Sequence, residues 1–262
     1  ALQYLYENKN CFCHENPQAV ITEDLNPETT FLFEKFEVET PKVLSATDIT
    51  TEDKVILVDH NETSQRLDNL DPNQITEIVD HHKVNLNLGH PIFMTFKAWG
   101  ASCTIAYFMM KQSQVVPDKK LAAIMLAAIL SDTVGYKSAT TTKKDKEVGA
   151  ELAEIAEIGD IDAFTLEIFK AKSDISTLTD EQIVKNDYKI FKFGQKTMID
   201  QLETVEQDLV LSEKKAGLLE AMANIKTELG VKLLFVAVTD ILKVNTKLLI
   251  LSDSEKEVAQ KA

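Results

Sequence analysis

Apolar and polar positions in the first two thirds of the chain form segments of two alternating kinds. Short apolar runs rich in β-branched residues occur at residues 54–58, 75–79 and 92–96, and such runs suit strands buried on both faces of a parallel sheet. Longer stretches with helical spacing follow at residues 102–111 and 119–130. The second of these is apolar almost all round, which is typical of a buried helix. This strand–helix alternation predicts an α/β fold with a parallel sheet.

One helix carries signals at both ends. Thr142 and Asp145 have the spacing of a capping box, with Asp in place of the usual Glu or Gln, and predict a helix that runs to about Ile158. Gly159 then stands where the left-handed residue that ends a helix is expected.

The pattern changes near residue 172 and predicts a second domain. The polar, helix-poor segment 173–177 suits a hinge between a domain at residues 1–172 and a smaller α/β domain at residues 178–262. In the smaller domain we expect, in order, a helix at 180–186, strands at 188–193 and 195–202, a long helix at 212–229, and strands at 232–239 and 246–251.

Composition narrows the class of protein. The 262 residues are 44% hydrophobic and 27% charged, which is ordinary for a globular protein and excludes a disordered chain or a disulfide scaffold. The 42 acidic residues exceed the 28 basic ones, giving a net charge of −14. A chain this acidic repels a phosphate backbone, so we expect no nucleic-acid partner. A small anionic substrate requires metal ions or a local group of lysines.

Cysteine usage and hydropathy predict a cytoplasmic protein with no membrane segment. The cysteines Cys11, Cys13 and Cys103 are sparse and odd in number, which favours free thiols in a reducing compartment. The segment Cys11–His14 lacks the Cys-x-x-Cys spacing and a second pair, so we interpret it as strand or loop, and Cys103 as a core thiol. The longest apolar run, Leu121–Leu130, is too short to span a bilayer, and the first residues lack the basic stretch of a signal peptide.

Acidic and histidine residues follow two neighbouring strands. Asp59-His60-Asn61 comes directly after Val58, and Asp80-His81-His82 comes directly after Val79. Ligands of open parallel sheets sit beyond the carboxyl ends of strands, so both groups emerge at one edge; Asp132 ends the apolar helix. Carboxylate and imidazole suit Mn, Mg, Co or Zn. The alternative is that each His–Asp pair is a hydrogen-bonded core pair.

Other chemistries find little support. The chain has no phosphate-binding Gly-x-x-x-x-Gly-Lys-Ser/Thr loop and no Gly-x-Ser-x-Gly nucleophile turn. Residues 99–104 open a helix whose amides could hold an anion, although an ordinary helix start is favoured.

The ordered set of motifs resembles a known family. Val58-Asp59-His60-Asn61-Glu62, Val79-Asp80-His81-His82 and Ser131-Asp132-Thr133 resemble the DHH phosphoesterases, and within them the family II, manganese-dependent inorganic pyrophosphatases. The likeness continues through residues 99–104, Lys170-Ala171 and Asp187-Tyr188-Lys189 to residues 238–242, and covers almost the whole chain. Asp-His-His by itself is a weak signal, whereas the ordered set is specific.

The resemblance implies an inorganic diphosphatase that hydrolyses pyrophosphate to two phosphates with two divalent ions, Mn²⁺ or alternatively Mg²⁺ or Co²⁺. Such ions lie roughly 3.5–4 Å apart and hold a bridging water as hydroxide. By the same resemblance, Asp59, His81 and Asp132 are metal ligands, and His82 and Lys189 are catalytic residues that contact the substrate. We expect His60 and Asp80 to orient these ligands.

Two departures from the family qualify these expectations. The family opens with a His-x-Asn-Pro-Asp-x-Asp loop and ends with a Ser-Arg-Lys segment, whereas this sequence contains neither and its one arginine is Arg66. We therefore expect an impaired fragment, truncated at both ends, that retains little phosphate-releasing activity.

Two alternatives stay open, and one partner is implied. The first alternative is an exopolyphosphatase or another DHH-type phosphodiesterase, although residues 175–262 lack the glycine-rich, histidine-containing loop of nucleotide-degrading relatives. The second alternative is a non-catalytic remnant. The family resemblance implies a homodimer, and the strand at residues 92–96 is the edge that we expect to pair.

Overall fold

The computed structural model describes residues 1–9, 14–192 and 194–261 and divides into two compact units, Ala1–Ile168 and Phe169–Ala262. The predicted domain limit at residue 172 and the hinge at residues 173–177 stay predictions. Cys11 and Cys13, which belong to the segment interpreted as strand or loop, lie outside the described residues, as does Phe193 at the end of a predicted strand.

The first unit has a mixed order of helices and strands. In chain order its elements are α1 (Leu2–Asn8), β1 (Val20–Ile21), α2 (Pro27–Lys35), β2 (Lys42–Val43), β3 (Val55–Val58), β4 (Ile75–Asp80), β5 (Phe93–Phe96), α3 (Ser102–Gln112), α4 (Lys119–Asp132), α5 (Lys143–Ala156) and α6 (Ile161–Lys172), the last of which crosses the division between the units. The α/β fold class is confirmed.

The sheet β3-β4-β5 is parallel throughout, as the sequence predicts. Its middle strand β4 is buried along almost its whole length because both faces are covered. Val79 belongs to the core formed with α3, α4 and α5, whereas Ile75 and Ile78 pack against the segment that leads to β5. The carboxyl ends of these strands therefore lie side by side along one edge, where polar residues begin.

Helix α4 carries an acidic residue to the end of this core. The Asp118 side chain accepts a hydrogen bond from the Leu121 amide at 2.8 Å and begins the helix. Fully buried residues such as Leu126 and Leu130 bind the helix to its neighbours, and Asp132 is its last residue.

The capping box of α5 is confirmed, but the prediction for its end is wrong. Thr142 and Asp145 form the box. The left-handed residue is Glu157, with φ of 56°, and not Gly159. The Ile158 amide donates to the Ala153 carbonyl at 2.9 Å, and the Ile158 side chain packs on the core. The chain therefore turns out of the helix before it reaches Gly159.

The second unit is built around the sheet β6-β7-β8-β9. Its further elements are α7 (Asp180–Val184), β6 (Tyr188–Lys192), β7 (Lys196–Thr204), α8 (Gln207–Glu228), β8 (Leu233–Asp240), β9 (Asn245–Leu249) and α9 (Asp253–Ala259). The pairs β6–β7 and β8–β9 are antiparallel, and β7–β8 is parallel. Helix α8 begins five residues earlier than the sequence predicts because Gln207 is buried and donates to the Val238 carbonyl at 2.7 Å.

Within the described ranges, no helix combines the length and the apolar character that crossing a bilayer requires.

Candidate metal centre

The parallel register of β3 and β4 brings the two polar groups together. Val58 lies opposite Val79, so Asp59 and Asp80 leave the sheet side by side. The Asp59 amide donates to the Val79 carbonyl at 3.0 Å. The backbone of Asp59 has a left-handed φ of 68°, a conformation that non-glycine residues rarely adopt and that often marks a functional position.

Asp59, His81 and His82 form a cluster that could hold a metal ion, because one ligand atom of each lies within 4.8 Å of the others. The His81 Nε2 is 3.4 Å from Asp59 Oδ1, and the His82 Nδ1 is 3.9 Å from the same oxygen. The two imidazole centroids are 4.1 Å apart. An oxygen and two nitrogens of this kind suit Mn²⁺ and similar divalent ions.

Hydrogen bonds orient both imidazoles. The Nδ1 of His81 lies 2.9 Å from the Trp99 carbonyl, and since a carbonyl can only accept, Nδ1 carries the proton. The Nδ1 of His82 likewise lies 2.9 Å from Asp80 Oδ1. In its neutral form each ring therefore presents Nε2 as the nitrogen with a free lone pair, the arrangement that is usual in histidines that bind metals.

Asp80 is the buried anchor of the loop that carries these histidines. It accepts the amides of His81 and His82 at 2.7 and 3.0 Å and the Asn61 side chain at 2.6 Å. Burial raises the pKa of Asp80, but the hydrogen bonds from Asn61, His82 and His81 outweigh this effect and hold the pKa below its ordinary value. The carboxylate is therefore ionised. It holds the imidazole of His82 directly and the backbone of both histidines through their amides.

The electrostatic field at the cluster favours a cation. The Asp59 carboxylate raises the pKa of His81 to about 9, although burial opposes it, and the charge of Asp132 adds to the increase. Positive charge at His81 Nε2 is thus stabilised by two nearby carboxylates. A divalent cation would gain from the same field, so the residues present fit a metal site.

The other predicted site residues are placed differently. Asp132 is not a member of the cluster, although its charge acts on both His81 and Cys103. His60 turns its Nδ1 to the Val58 carbonyl at 3.0 Å. Lys189 lies on β6 in the second unit, exposed and opposite Ile199.

The segment before α3 contacts the centre through the Trp99 carbonyl, and Ala101 and Cys103 follow it. Ala101 caps the helix without a side-chain hydrogen bond. Cys103 packs against the core, and burial raises the pKa of its thiol to about 12. The prediction of a core thiol is thus confirmed.

Asn61 belongs to the site but was not predicted from the sequence. It is buried, donates to Asp80 and to the Lys83 carbonyl, and accepts the Asn85 amide at 2.7 Å. Asn61 thereby ties the end of β3 to the histidine loop after β4. Its place directly after Asp59-His60 was the available signal.

The fold and the cluster together define a DHH-type hydrolase with an accessory domain. Residues 2–129 match the model of the DHH family, N-terminal domain, and residues 166–262 match the DHHA2 domain. The chain belongs to the manganese-dependent inorganic pyrophosphatase family.

Relatives with high coverage support this assignment. A manganese-dependent inorganic pyrophosphatase of Methanocaldococcus jannaschii is 38% identical over 91% of this chain and 79% of its own length. One from Methanothrix thermoacetophila is also 38% identical, over 91% of this chain and 76% of its own length. A crystal structure described as a family II inorganic pyrophosphatase of Methanococcus jannaschii matches 90% of this chain and 78% of that one, with 36% identity and a TM-score of 0.65.

Proposed function

We propose that this chain binds Mn²⁺ through Asp59 and His81, beside the substrate-facing His82 of the same cluster, and hydrolyses inorganic pyrophosphate to two phosphates. The observation that carries the proposal is the convergence of these three side chains within 4.8 Å at the carboxyl ends of two parallel strands. Membership in the manganese-dependent pyrophosphatase family indicates pyrophosphate as the substrate and Mn²⁺ as the metal.

Each residue of the centre has a distinct part in this proposal. Asp59 and His81 would hold the metal, with Asp132 as a further ligand. When bound, the ions supply Lewis-acid charge neutralisation and lower the pKa of a coordinated water. His82, oriented by Asp80, presents its Nε2 to the substrate, and Lys189 contributes a positive charge to a phosphate. The parts given to Asp132 and Lys189 are supported by the family pattern of the sequence.

The test of this function is a substrate panel. Purified protein is incubated with Mn²⁺ or Mg²⁺ and with pyrophosphate, tripolyphosphate or a dinucleotide, and phosphate or nucleotide release is measured. We expect Mn²⁺-dependent release from pyrophosphate to exceed release from the other substrates. Faster cleavage of tripolyphosphate or of the dinucleotide would favour the alternative phosphoesterases. An absence of both turnover and Mn²⁺ binding would favour a non-catalytic remnant.

Replacing Asp80 by asparagine tests the support of the histidine loop. We expect Mn²⁺ affinity to fall about 10- to 100-fold, the usual effect of losing a group that orients metal-binding histidines. The variant keeps the size of the side chain but loses the charge that holds His82 Nδ1. Binding is measured by electron paramagnetic resonance, which counts free Mn²⁺.

The matched control for this variant is Asp53→Asn. Asp53 is an exposed carboxylate that also caps a turn, through the Thr50 amide at 2.7 Å. The control should bind Mn²⁺ like the parent protein. Equal affinity of Asp80→Asn and the control would contradict the role of Asp80.

We also propose a second copy of this chain as its partner, joined along β5. This strand ends the sheet β3-β4-β5 and exposes 55% of Phe93 and 47% of Met94. Apolar edges of this kind invite strand pairing. Light scattering after size exclusion should give a mass near twice 29.3 kDa.

Met94→Lys places a charge on that edge, and we expect it to weaken the dimer at least about tenfold, as charged edge residues oppose pairing. Val116→Lys, at a residue that is 67% exposed in the same unit, should leave the dimer intact. A parent protein that is monomeric at all concentrations would end this proposal.

A cytoplasmic location completes the proposal. It is supported by the sparse cysteines of the sequence and by the unpaired thiol of Cys103.

A further inference from the structure

Asp145, at the start of α5, makes more contacts than a helix cap requires. Its carboxylate is completely buried. It accepts the Thr142 amide at 2.7 Å and the Thr142 hydroxyl at 2.6 Å, and these bonds form the cap. It also accepts hydrogen bonds from two residues that lie more than forty positions earlier in the chain.

These additional donors lie just before α3 and in its first turn. The Gly100 amide donates to Asp145 Oδ2 at 2.9 Å, and the Thr104 hydroxyl donates to Oδ1 at 2.6 Å. Burial raises the pKa of Asp145, but the hydrogen bonds from Thr104, Thr142 and Gly100 outweigh it and hold the pKa below its ordinary value. The buried group is therefore an anion.

One peptide group separates this anion from the metal centre. The N–H that Asp145 accepts and the carbonyl of Trp99 belong to the same peptide unit, Trp99–Gly100. That carbonyl accepts the Nδ1 proton of His81 at 2.9 Å. Asp145, the peptide and the imidazole thus form a continuous series of hydrogen bonds.

We propose that Asp145 is a positioning residue for His81 and acts through the Trp99–Gly100 peptide. The bond from the amide to the carboxylate fixes the plane of the peptide and polarises its carbonyl, which becomes a stronger acceptor for the imidazole proton. A stronger acceptor at Nδ1 holds the ring orientation and makes Nε2 a better metal ligand. The inference rests on the proposed metal-binding function of His81.

The packing around this peptide leaves it little freedom. A Cβ on Gly100 would lie 2.6 Å from Thr133 Cγ2 and 2.8 Å from Asp145 Oδ2. The neighbouring indole of Trp99 meets the Phe108 ring edge-on, with centroids 5.4 Å apart. The peptide is therefore held from both sides, and only glycine allows its close approach to Asp145.

The experiment compares Asp145→Asn with Thr142→Ala in the full chain. Thr142→Ala is the matched control, because it removes one hydrogen bond from the same carboxylate and weakens the same helix cap but leaves the Gly100 bond. Samples labelled with ¹⁵N-histidine are freed of metal with EDTA at a pH where the His81 imidazole is neutral, and long-range ¹H–¹⁵N spectra report the protonated nitrogen of each imidazole. The His81 signals are assigned with His81→Gln. Mn²⁺ affinity is then measured by electron paramagnetic resonance.

We expect Asp145→Asn to shift the His81 ring-nitrogen signals and to weaken Mn²⁺ binding about tenfold, the lower end of the range for groups that support metal-binding histidines. Thr142→Ala should leave the His81 signals in place and change affinity less than about twofold, because the Gly100 bond persists. A folded Asp145→Asn protein with parent-like His81 signals and parent-like affinity would overturn the inference.

Two further arms keep the test decisive. If circular dichroism shows that Asp145→Asn does not fold, Gly100→Ala displaces the same peptide from its other side and should shift the same His81 signals. If the parent protein binds no Mn²⁺, the proposed function fails, whereas the His81 signals of the metal-free variants still decide the role of Asp145.

Discussion

Replacing Asp59 by asparagine should lower the affinity for Mn²⁺ by at least about a hundredfold, more than the loss of any supporting group. Asp59 is the member of the cluster that is paired with both imidazoles, at 3.4 Å from His81 and 3.9 Å from His82. An amide keeps the shape of the side chain but removes the charge that neutralises a divalent ion. Phosphate release from pyrophosphate should fall in parallel.

The measurement is a Mn²⁺ titration of the parent protein and the variant, followed by electron paramagnetic resonance. Asp24→Asn is the control, because it removes an equal charge from an exposed loop position of the same unit. Parent-like affinity in the Asp59 variant would show that the ion binds at another place. The centre described above would then not be the metal site.

Replacing Asp200 by asparagine should stabilise the second unit above neutral pH. Asp200 lies within β7, fully buried on the face that also carries Met198 and Leu202. Its Oδ1 accepts the Asp187 amide at 3.1 Å, whereas its Oδ2 has no hydrogen-bond partner among the described residues. Burial raises the pKa of Asp200 to about 7, and the charge of Asp187 contributes to the increase.

The direction of the pH dependence follows from proton binding. The unfolded chain releases the Asp200 proton near the ordinary pKa of 3.8, whereas the folded unit keeps it until about pH 7. Stability therefore decreases as the pH rises between these values. Above pH 7 the buried charge costs up to about 4 kcal/mol, since each unit of pKa corresponds to about 1.4 kcal/mol. Asparagine, which is neutral at every pH, removes this cost.

Hydrogen exchange of the β7 and β8 amides in urea measures the free energy of unfolding of this unit. The variant should match the parent protein near pH 4 and exceed it by about 2–4 kcal/mol at pH 8. Glu203→Gln, on the exposed face of the same strand, should change stability by less than about 0.5 kcal/mol at either pH. A constant difference across the pH range would contradict the assignment to Asp200.

The parallel sheet of the first unit could be predicted because its signal is local. The continuous apolar run at residues 55–58 and the weaker run at residues 75–79 belong to neighbouring strands of this sheet, and strands of parallel sheets are typically rich in apolar residues. The capping box before α5 is equally local. Its chemistry lies within four consecutive residues, Thr142 to Asp145.

Boundaries set by distant contacts could not be predicted. Helix α8 begins at Gln207 because the side chain reaches the Val238 carbonyl, 31 residues away. Helix α5 ends at the left-handed Glu157 because Ile158 packs on the core. The two-residue strands β1 and β2 pair with each other and leave almost no periodic signal. In each case tertiary contacts decide what local preference leaves open.

The residues of the metal centre also divide into those that could be predicted from the sequence and those that could not. Asp59 and His81 could be predicted to meet because each follows a strand and the strands are neighbours. Asp132, the last residue of α4, acts on His81 through its charge, and its part as a metal ligand stays a prediction. The link from Asp145 to His81 passes through a backbone peptide, and no side-chain pattern records it.

Asp59 has a left-handed backbone with φ of 68°. At this position the residue that favours heat resistance differs from the residue that activity requires. Glycine occupies that conformation without a steric penalty, so a selection based only on melting temperature would favour the replacement of Asp59 by glycine. The selected protein would be more heat-resistant but inactive. Laboratory evolution of this scaffold therefore has to score turnover in every round.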